Sequence, residues 1–407
     1  MSPLADFGDA PETDFMKKFG GSGKDEVKKV VADDAGNVYA VMDFSGEMEF
    51  AGNTFTSAGK RDVIILKMNN SGNVTWFLQG TSGDENNAVL YDICLDDGKI
   101  YVTGYFDGNQ FSMDGNLLNI TGAEDALLIR LSDSGEIGLM KNIGNAGMSY
   151  RGIAVATGDG NIYLTGSTNG SLDYTHPSFL TKLDPEGNQI WWQEHEIALN
   201  SLAVENDFLY VAGSAYTDVL LDDVLLEPNV YADAFVAQAN HNGSYNWAVM
   251  GEHNQYSYGD SFYPQIAVGA TGDVFMAGYF RNYVEFGIFL LEGTTESFIV
   301  RINPSGEVIW ANATENTFYE LNAFALLEND MACISGKMSA IAYFDNITLE
   351  TPDGKLGQYI AIYNSNGQAE SAFLTDHPSL GICDLPGDHV LQVGTTVIFA
   401  FVTNFQY

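Results

Sequence analysis

Positive charge is scarce in this chain: 17 Lys and Arg stand against 54 Asp and Glu, a formal net charge of −37. A surface of that sign repels nucleic-acid phosphates and anionic membranes, so neither is expected as a partner. The scarcity is uneven. Lys17, Lys18, Lys24, Lys28 and Lys29 crowd near the N-terminus, whereas residues 183–407 hold only Arg281, Arg301, Lys337 and Lys355 as strong bases. Proline is low at 10, helical periodicity is absent, and no run reaches the roughly eighteen apolar residues that a membrane-spanning helix needs. Membrane insertion is not expected. Cysteine is limited to Cys94, Cys333 and Cys383. An odd number, each inside an apolar strand pattern, reads as buried free thiols and not as a disulfide framework or metal site. The opening "MSPLADFGDAPETD" has neither the basic nor the apolar segment of a signal peptide, and residues 1–13 are expected to form a flexible leader.

Glycine and aromatics are plentiful, at 43 residues and 13%. Gly, Asn and Asp bound short apolar runs rich in β-branched residues, as expected of many strands joined by tight turns. The class is all-β. Internal repetition then organises the chain. A second-strand pattern recurs at "GNVYAVMDF" (36–44), "GKIYVTGYF" (98–106), "GNIYLTGST" (160–168), "DFLYVAGSA" (207–215) and "GDVFMAGYF" (272–280). Weaker copies are "DMACISGKM" (330–338) and "DHVLQVGTT" (388–396), which makes seven. A third-strand pattern follows each, from "DVIILKM" (62–68) to "TVIFAFV" (396–402). After six of these comes a polar turn such as "NPSGE" (303–307), then a fourth strand.

Four antiparallel strands per repeat, seven times over, predict a single seven-bladed β-propeller over 14–407. The seventh repeat has no fourth strand of its own, while "DFMKKFGGSG" (14–23) resembles one with nothing before it. Residues 14–20 are therefore expected to complete the last blade and latch the ring. Trp76, Trp191, Trp247 and Trp310 each sit four residues after a turn glycine, with Leu139 and Ser371 in the matching positions. Large flat side chains at a fixed strand position suit the space between neighbouring blades; a sugar-stacking platform is the rival reading. Trp192 points to the opposite face of its strand from Trp191. Glycine recurs within the second strand at Gly104, Gly166, Gly213, Gly278, Gly336 and Gly394, which marks a close backbone approach or a bulge.

The run "FGGSGKDEVKKVVADDAGNVYAVMDFSGEMEFAG", followed by "DVIILKMNNSGNVTW", resembles the SBBP-type β-propeller repeat of bacterial and archaeal secreted proteins. The likeness extends over nearly the whole chain. It implies a propeller and an extracellular or cell-surface location. It implies no reaction, since such repeats serve mostly as binding or display modules.

No catalytic motif is present. "GGSGKDE" (20–26) lacks phosphate-loop spacing and precedes a strand, and the six histidines have no ligand spacing. No cofactor and no metal site is expected. Calcium is possible at Asp-rich turns such as "DDAGN" (33–37), although Asp, Asn and Gly are what β-turns require in any case. The candidate ligand site is the set of loops joining a fourth strand to the next first strand, which converge on the channel mouth. The residues singled out there are Asp25, Asp84, Tyr150, Arg151, Tyr258, Asp260, Tyr319 and Glu320. Carboxylates and tyrosines around one concavity suit a polar ligand, a protein or glycan partner at the cell surface. Arg151 is the cation to meet an anionic group. The alternatives are a carbohydrate-active hydrolase or lyase using mouth carboxylates, or a structural subunit of a surface filament or outer-membrane assembly. The inserts between second and third strands, such as "RNYVEFGIFLLEGTTE" (281–296), read as small hairpins that either pack or form an interface.

Overall fold

The computed structural model describes residues 20–21, 23–83, 85–171, 176–228, 232–253, 260–352, 354–374, 389–393 and 396–400. Leader residues 1–13, segment 14–19 and Cys383 lie outside them. Described regular structure is β apart from one short 3-10 turn, Glu328–Asp330. Six antiparallel sheets, each with a four-stranded core in sequence order, follow one another as blades 1 to 6 of a β-propeller. Blade 1 consists of Asp25–Ala32, Val38–Phe44, Asp62–Met68 and Val74–Thr81. Blade 2 repeats the order with Ala88–Asp96, Lys99–Asp107, Glu124–Ser132 and Ile137–Ile143.

The first strand of each blade is the inner one. Inner strands of consecutive blades touch in order around a ring. The hairpin His389–Val393 and Thr396–Ala400 takes the next place, its first strand contacting the inner strands of both blade 6 and blade 1. Gly20–Gly21 pairs with Glu47–Phe50 of blade 1's insert hairpin. Gly80 and Thr81, at the end of blade 1's outer strand, pair in the same manner with Gln110–Met113 of blade 2's insert. Gly20 and Gly21 thus occupy the station of an outer-strand end from a preceding blade. The inserts are separate hairpins in blades 1, 2 and 4. In blade 5 the second and third strands simply run on, as Val274–Phe286 and Phe289–Ile302.

The recurrent glycine meets a bulge in the inner strand. A Cβ on Gly166 would lie 1.8 Å from the Arg151 carbonyl oxygen, and Gly104 and Gly213 face Val89 and Ala198 in the same way. Opposite them the inner strand skips one residue, between Leu90 and Asp92, Gly152 and Ala154, or Leu199 and Ser201. A bulged strand bends and crowds its partner, and glycine makes room.

The repeated turn and tryptophan form one device. In "NPSGE" the Asn303 Oδ1 accepts the backbone N–H groups of Ser305 and Glu307 at 3.0 and 2.9 Å, an Asx turn that leaves the Pro304 carbonyl pointing outward. The indole N–H of Trp247, one blade earlier, donates to that carbonyl at 3.0 Å. Trp76 reaches Asp133 O, Trp191 reaches His241 O and Trp310 reaches Ser365 O, each at 3.0 Å. The tryptophans join neighbouring blades, and the sugar-platform reading falls away. A third-strand side chain of the earlier blade supports the same turn: Lys182 on His241 O at 3.3 Å, Gln238 on Pro304 O at 3.2 Å, Arg301 on Ser365 O at 2.6 Å. Where blade 2 has Leu139, Arg130 donates to Pro185 O in its place. Trp192 faces the other way and stacks on Phe179, with ring centroids 4.5 Å apart and planes 8° apart.

Candidate functional site

Strand direction sorts the two ends of the propeller. One end carries the short turns within each blade; the other carries the inserts and the blade-to-blade loops, where the expected residues cluster. At that second end, blade 1 buries four carboxylates, Asp25, Glu26, Asp43 and Asp62. Asp25 opens the inner strand and its Oδ2 accepts the Gly21 N–H at 2.7 Å. Burial pushes the Asp25 carboxyl up to about 6, and the Asp43 charge adds to the effect. Glu26 is the cross-strand partner of Asp43.

Cations reach both acids from two elements. Lys28 Nζ lies 2.7 Å from Glu26 Oε2 and 3.5 Å from Asp43 Oδ1. Arg61 places Nη2 3.2 Å from Glu26 Oε2 and Nε 2.9 Å from Asp43 Oδ2. Burial raises the Asp43 carboxyl, with Lys28 and Arg61 pulling it back. Lys28 is the bulge residue of its strand, between paired Val27 and Lys29; Tyr91 is the bulge residue of blade 2, between Leu90 and Asp92. A bulge leaves its residue unpaired and re-aims the side chain. The two meet, with Lys28 Nζ 5.7 Å from the centre of the Tyr91 ring. Tyr91 stacks on Tyr105 with centroids 6.1 Å apart. Arg151, from the inner strand of blade 3, lies 4.2 Å over the Tyr105 ring. Its Nε and Nη2 grip the Glu124 carboxylate at 2.9 and 2.5 Å. One network therefore runs from Glu26 to Glu124 across three blades.

Of the residues expected at the mouth, Asp25 and Arg151 stand at opposite ends of this network. Tyr150 is buried in packing, edge-on to Phe179 at 5.8 Å and to Trp192 at 5.5 Å. Asp260 begins the inner strand of blade 5, Asp260–Val268, and Tyr319 and Glu320 lie within that of blade 6, Glu315–Leu327. Asp84 and Tyr258 fall outside the described residues. Lys28, Asp43, Arg61, Tyr91, Tyr105 and Glu124 were not anticipated. One signal for them was legible: Asp43 interrupts the otherwise apolar "VYAVMDF" at the position where other blades have Tyr105, Ser167 or Ser214.

Among the described residues no group of three or more His, Cys, Asp or Glu is arranged to hold a metal ion. The Asp33 carboxylate, in the turn considered for calcium, accepts the N–H groups of Ala35 and Asn37, the Asn37 amide and the Tyr39 hydroxyl. These are the bonds by which an aspartate stabilises a β-turn.

No protein-family model and no curated protein matches the chain. Among solved structures it is similar to BamB from Moraxella catarrhalis, at 10% identity over 94% of this chain and 85% of that one, with a TM-score of 0.37. It is also similar to a protein of unknown function from Dyadobacter fermentans, at 11% identity, 93% and 89% coverage and a TM-score of 0.41. A third likeness is to a subtype N11 neuraminidase-like protein of A/flat-faced bat/Peru/033/2010, at 12% identity, 92% and 91% coverage and a TM-score of 0.38. Scores of this size carry no information on activity.

Proposed function

We propose that the chain is a non-catalytic binding or display propeller of the extracellular space or cell surface, taking a protein or glycan at the mouth formed by blades 1 to 3. The observation that carries this reading is the state of the carboxylates there. Arg61 and Arg151 hydrogen-bond Glu26 and Glu124, and Arg61 Nε lies 2.9 Å from Asp43 Oδ2 as an ion pair, which favours a scaffolding role over that of a reacting pair. A hydrolase or lyase needs an acid and a base that both touch substrate. Asp25 has the raised carboxyl suited to an acid, but it is fully buried. The resemblance to SBBP repeats supports the same location and role. The ring is proposed to count seven blades, with 14–20 completing the last; the pairing of Gly20–Gly21 as a preceding blade's outer-strand end supports that closure.

A glycan array probed with the intact protein, with and without calcium, tests the reading. Specific capture without product release supports it. Turnover of any captured oligosaccharide, abolished by Asp84→Asn or Asp25→Asn, overturns it in favour of the enzyme. The assembly reading has one observation of its own: the inserts of blades 4 and 5 expose Leu220, Leu225, Ile288 and Leu290. Concentration-dependent sedimentation, lost on replacing Ile288 and Leu290 with serine, would favour it.

A further inference from the structure

We infer that the outward faces of the insert hairpins of blades 4, 5 and 6 dock a basic protein segment that carries apolar side chains among its lysines or arginines. This surface is the outer rim, and it does not depend on a ligand at the mouth of blades 1 to 3. The inserts are fixed in similar ways around the ring. Ser112 and Met113 pair with Thr81 and Gly80 at the outer-strand end of the preceding blade, Glu285 pairs with Glu252, and Tyr343 with Glu315. In blade 4 the turn residue Asp222 accepts the Tyr245 N–H of the outer strand at 2.7 Å. One face of each hairpin is sealed onto the blades, where Phe50, Met113, Leu221, Phe286 and Phe344 are buried. The opposite face is therefore held in place before any partner arrives.

What differs between blades is that outward face. The cross-strand pair one step back from the buried residue is Glu49 and Thr54 in blade 1, and Ser112 and Leu117 in blade 2. In blade 4 it is Leu220 and Leu225, 63% and 54% exposed. In blade 5 it is Glu285 and Leu290, the leucine 52% exposed. In blade 6 it is Tyr343 and Thr348, and Ile341 is exposed on the same face as Tyr343. Ile288, 89% exposed, stands at the tip of the blade 5 turn, where blades 1, 2 and 6 have Gly52, Gly115 and Asn346. A β-branched apolar residue there answers no need of the turn, since Gly287 already supplies the left-handed position at φ +61°. Single exposed apolar residues are ordinary, but recurrence at one level of three consecutive blades makes a surface.

Charge names the occupant. Segments 217–228, 282–295 and 339–352, which contain the three inserts, hold Asp and Glu but no Lys or Arg. The nearest bases in sequence, Arg281, Lys337 and Lys355, lie outside them. Asp218, Asp223, Glu227, Glu292 and Glu350 are exposed beside the apolar side chains. An apolar centre with a polar rim is the anatomy of a protein–protein interface. Carboxylates on its flanks select a cationic partner and turn away an anionic one. A second copy is a poorer fit, because two chains that each carry a net charge of −37 repel one another. An anionic bilayer is repelled for the same reason.

Fluorescence anisotropy of labelled synthetic peptides, titrated with the full chain at low salt, tests this. One peptide alternates lysine with leucine, a second lysine with serine, and a third glutamate with leucine. The lysine–leucine peptide is expected to bind about tenfold or more tightly than either of the others, equivalent to about 1.4 kcal/mol. Added salt should weaken it. Replacing Leu220, Leu225, Ile288 and Leu290 together with serine should abolish its preference over lysine–serine. All four are exposed, so the urea midpoint should stay in place and show the fold intact. Leu117→Ser, on the insert of blade 2, is the control that leaves binding unchanged. Lysine–serine bound as tightly as lysine–leucine overturns the apolar surface. Glutamate–leucine bound as tightly overturns the basic partner. A preference retained in the fourfold variant puts the contact elsewhere and overturns the rim. Concentration-dependent sedimentation of the chain alone, lost in that variant, makes a second copy the occupant and overturns the basic one.

Discussion

Replacing Trp310 with phenylalanine isolates the tie between two blades. The indole N–H donates to Ser365 O at 3.0 Å, and the ring, 9% exposed, meets Phe275 edge-on with centroids 6.0 Å apart. Phenylalanine keeps most of the ring and removes the donor. Ser365 O is not orphaned, because Arg301 Nη1 still donates to it at 2.6 Å. The loss should therefore be one net hydrogen bond and a little apolar area, about 1–2 kcal/mol. Arg301→Leu in the same background removes the second donor, whereas a glutamine could still donate as Gln238 does to Pro304 O. The two together should cost more than their sum by about 0.5–3 kcal/mol, since the carbonyl then has no protein partner. Urea denaturation measures both, with the midpoint moving and the slope unchanged for the single variant. The reasoning is refuted if Trp310→Phe leaves the midpoint where it was, or if the double variant is strictly additive. Lost glycan binding at unchanged stability would restore the stacking-platform reading.

The buried acid of blade 1 makes a pH prediction. Asp25 is raised from 3.8 to about 6 by burial, so the folded protein holds that proton more tightly than the unfolded chain. Its contribution to stability is complete below about 4 and disappears as the pH rises through 6. Asp25→Asn, which keeps an acceptor for Gly21, should flatten the stability profile over that window and exceed the parent by about 3 kcal/mol at pH 7.5; an unchanged slope between pH 4 and 6 would refute it. Burial also pushes the thiol of Cys333 up to about 12 and that of Cys94 well above its ordinary value. In a Cys383→Ser background, the buried Cys333 should not react with a disulfide reagent at pH 8 until denaturant is added, while the half-buried Cys94 should react slowly; a stoichiometric native reaction of Cys333 would contradict its burial.

The blades were legible because a strand repeats its face every second residue, and because turn chemistry marks where each strand ends. The role of the tryptophans followed from the same regularity, which places one large ring at one height in each blade. The ionic network was not legible for a physical reason. Lys28 and Tyr91 sit in bulges, and a bulge shifts the alternation of faces by one residue without altering composition. In "DEVKKVVA" the bulge leaves Lys28 unpaired between Val27 and Lys29, and Lys28 turns onto Glu26 and Asp43. Arg61 and Glu26 are separated by 35 residues, and nothing local in the chain announces that they meet. Tyr150 shows the converse. Its place in a loop beside Arg151 suggested a mouth residue, but Phe179 and Trp192 offered it an apolar socket.

The ties between blades have a direction. Each donor sits in one blade and its acceptor in the turn of the next, from Trp76 to Asp133, Trp191 to His241, Trp247 to Pro304 and Trp310 to Ser365. As the chain leaves the ribosome, the indole of one blade therefore finds its acceptor only once the turn of the next has formed. The same polarity makes a blade a portable unit. Copied and inserted beside its parent, it brings a turn for the blade before it and a tryptophan for the blade after, and neither neighbour needs a compensating change.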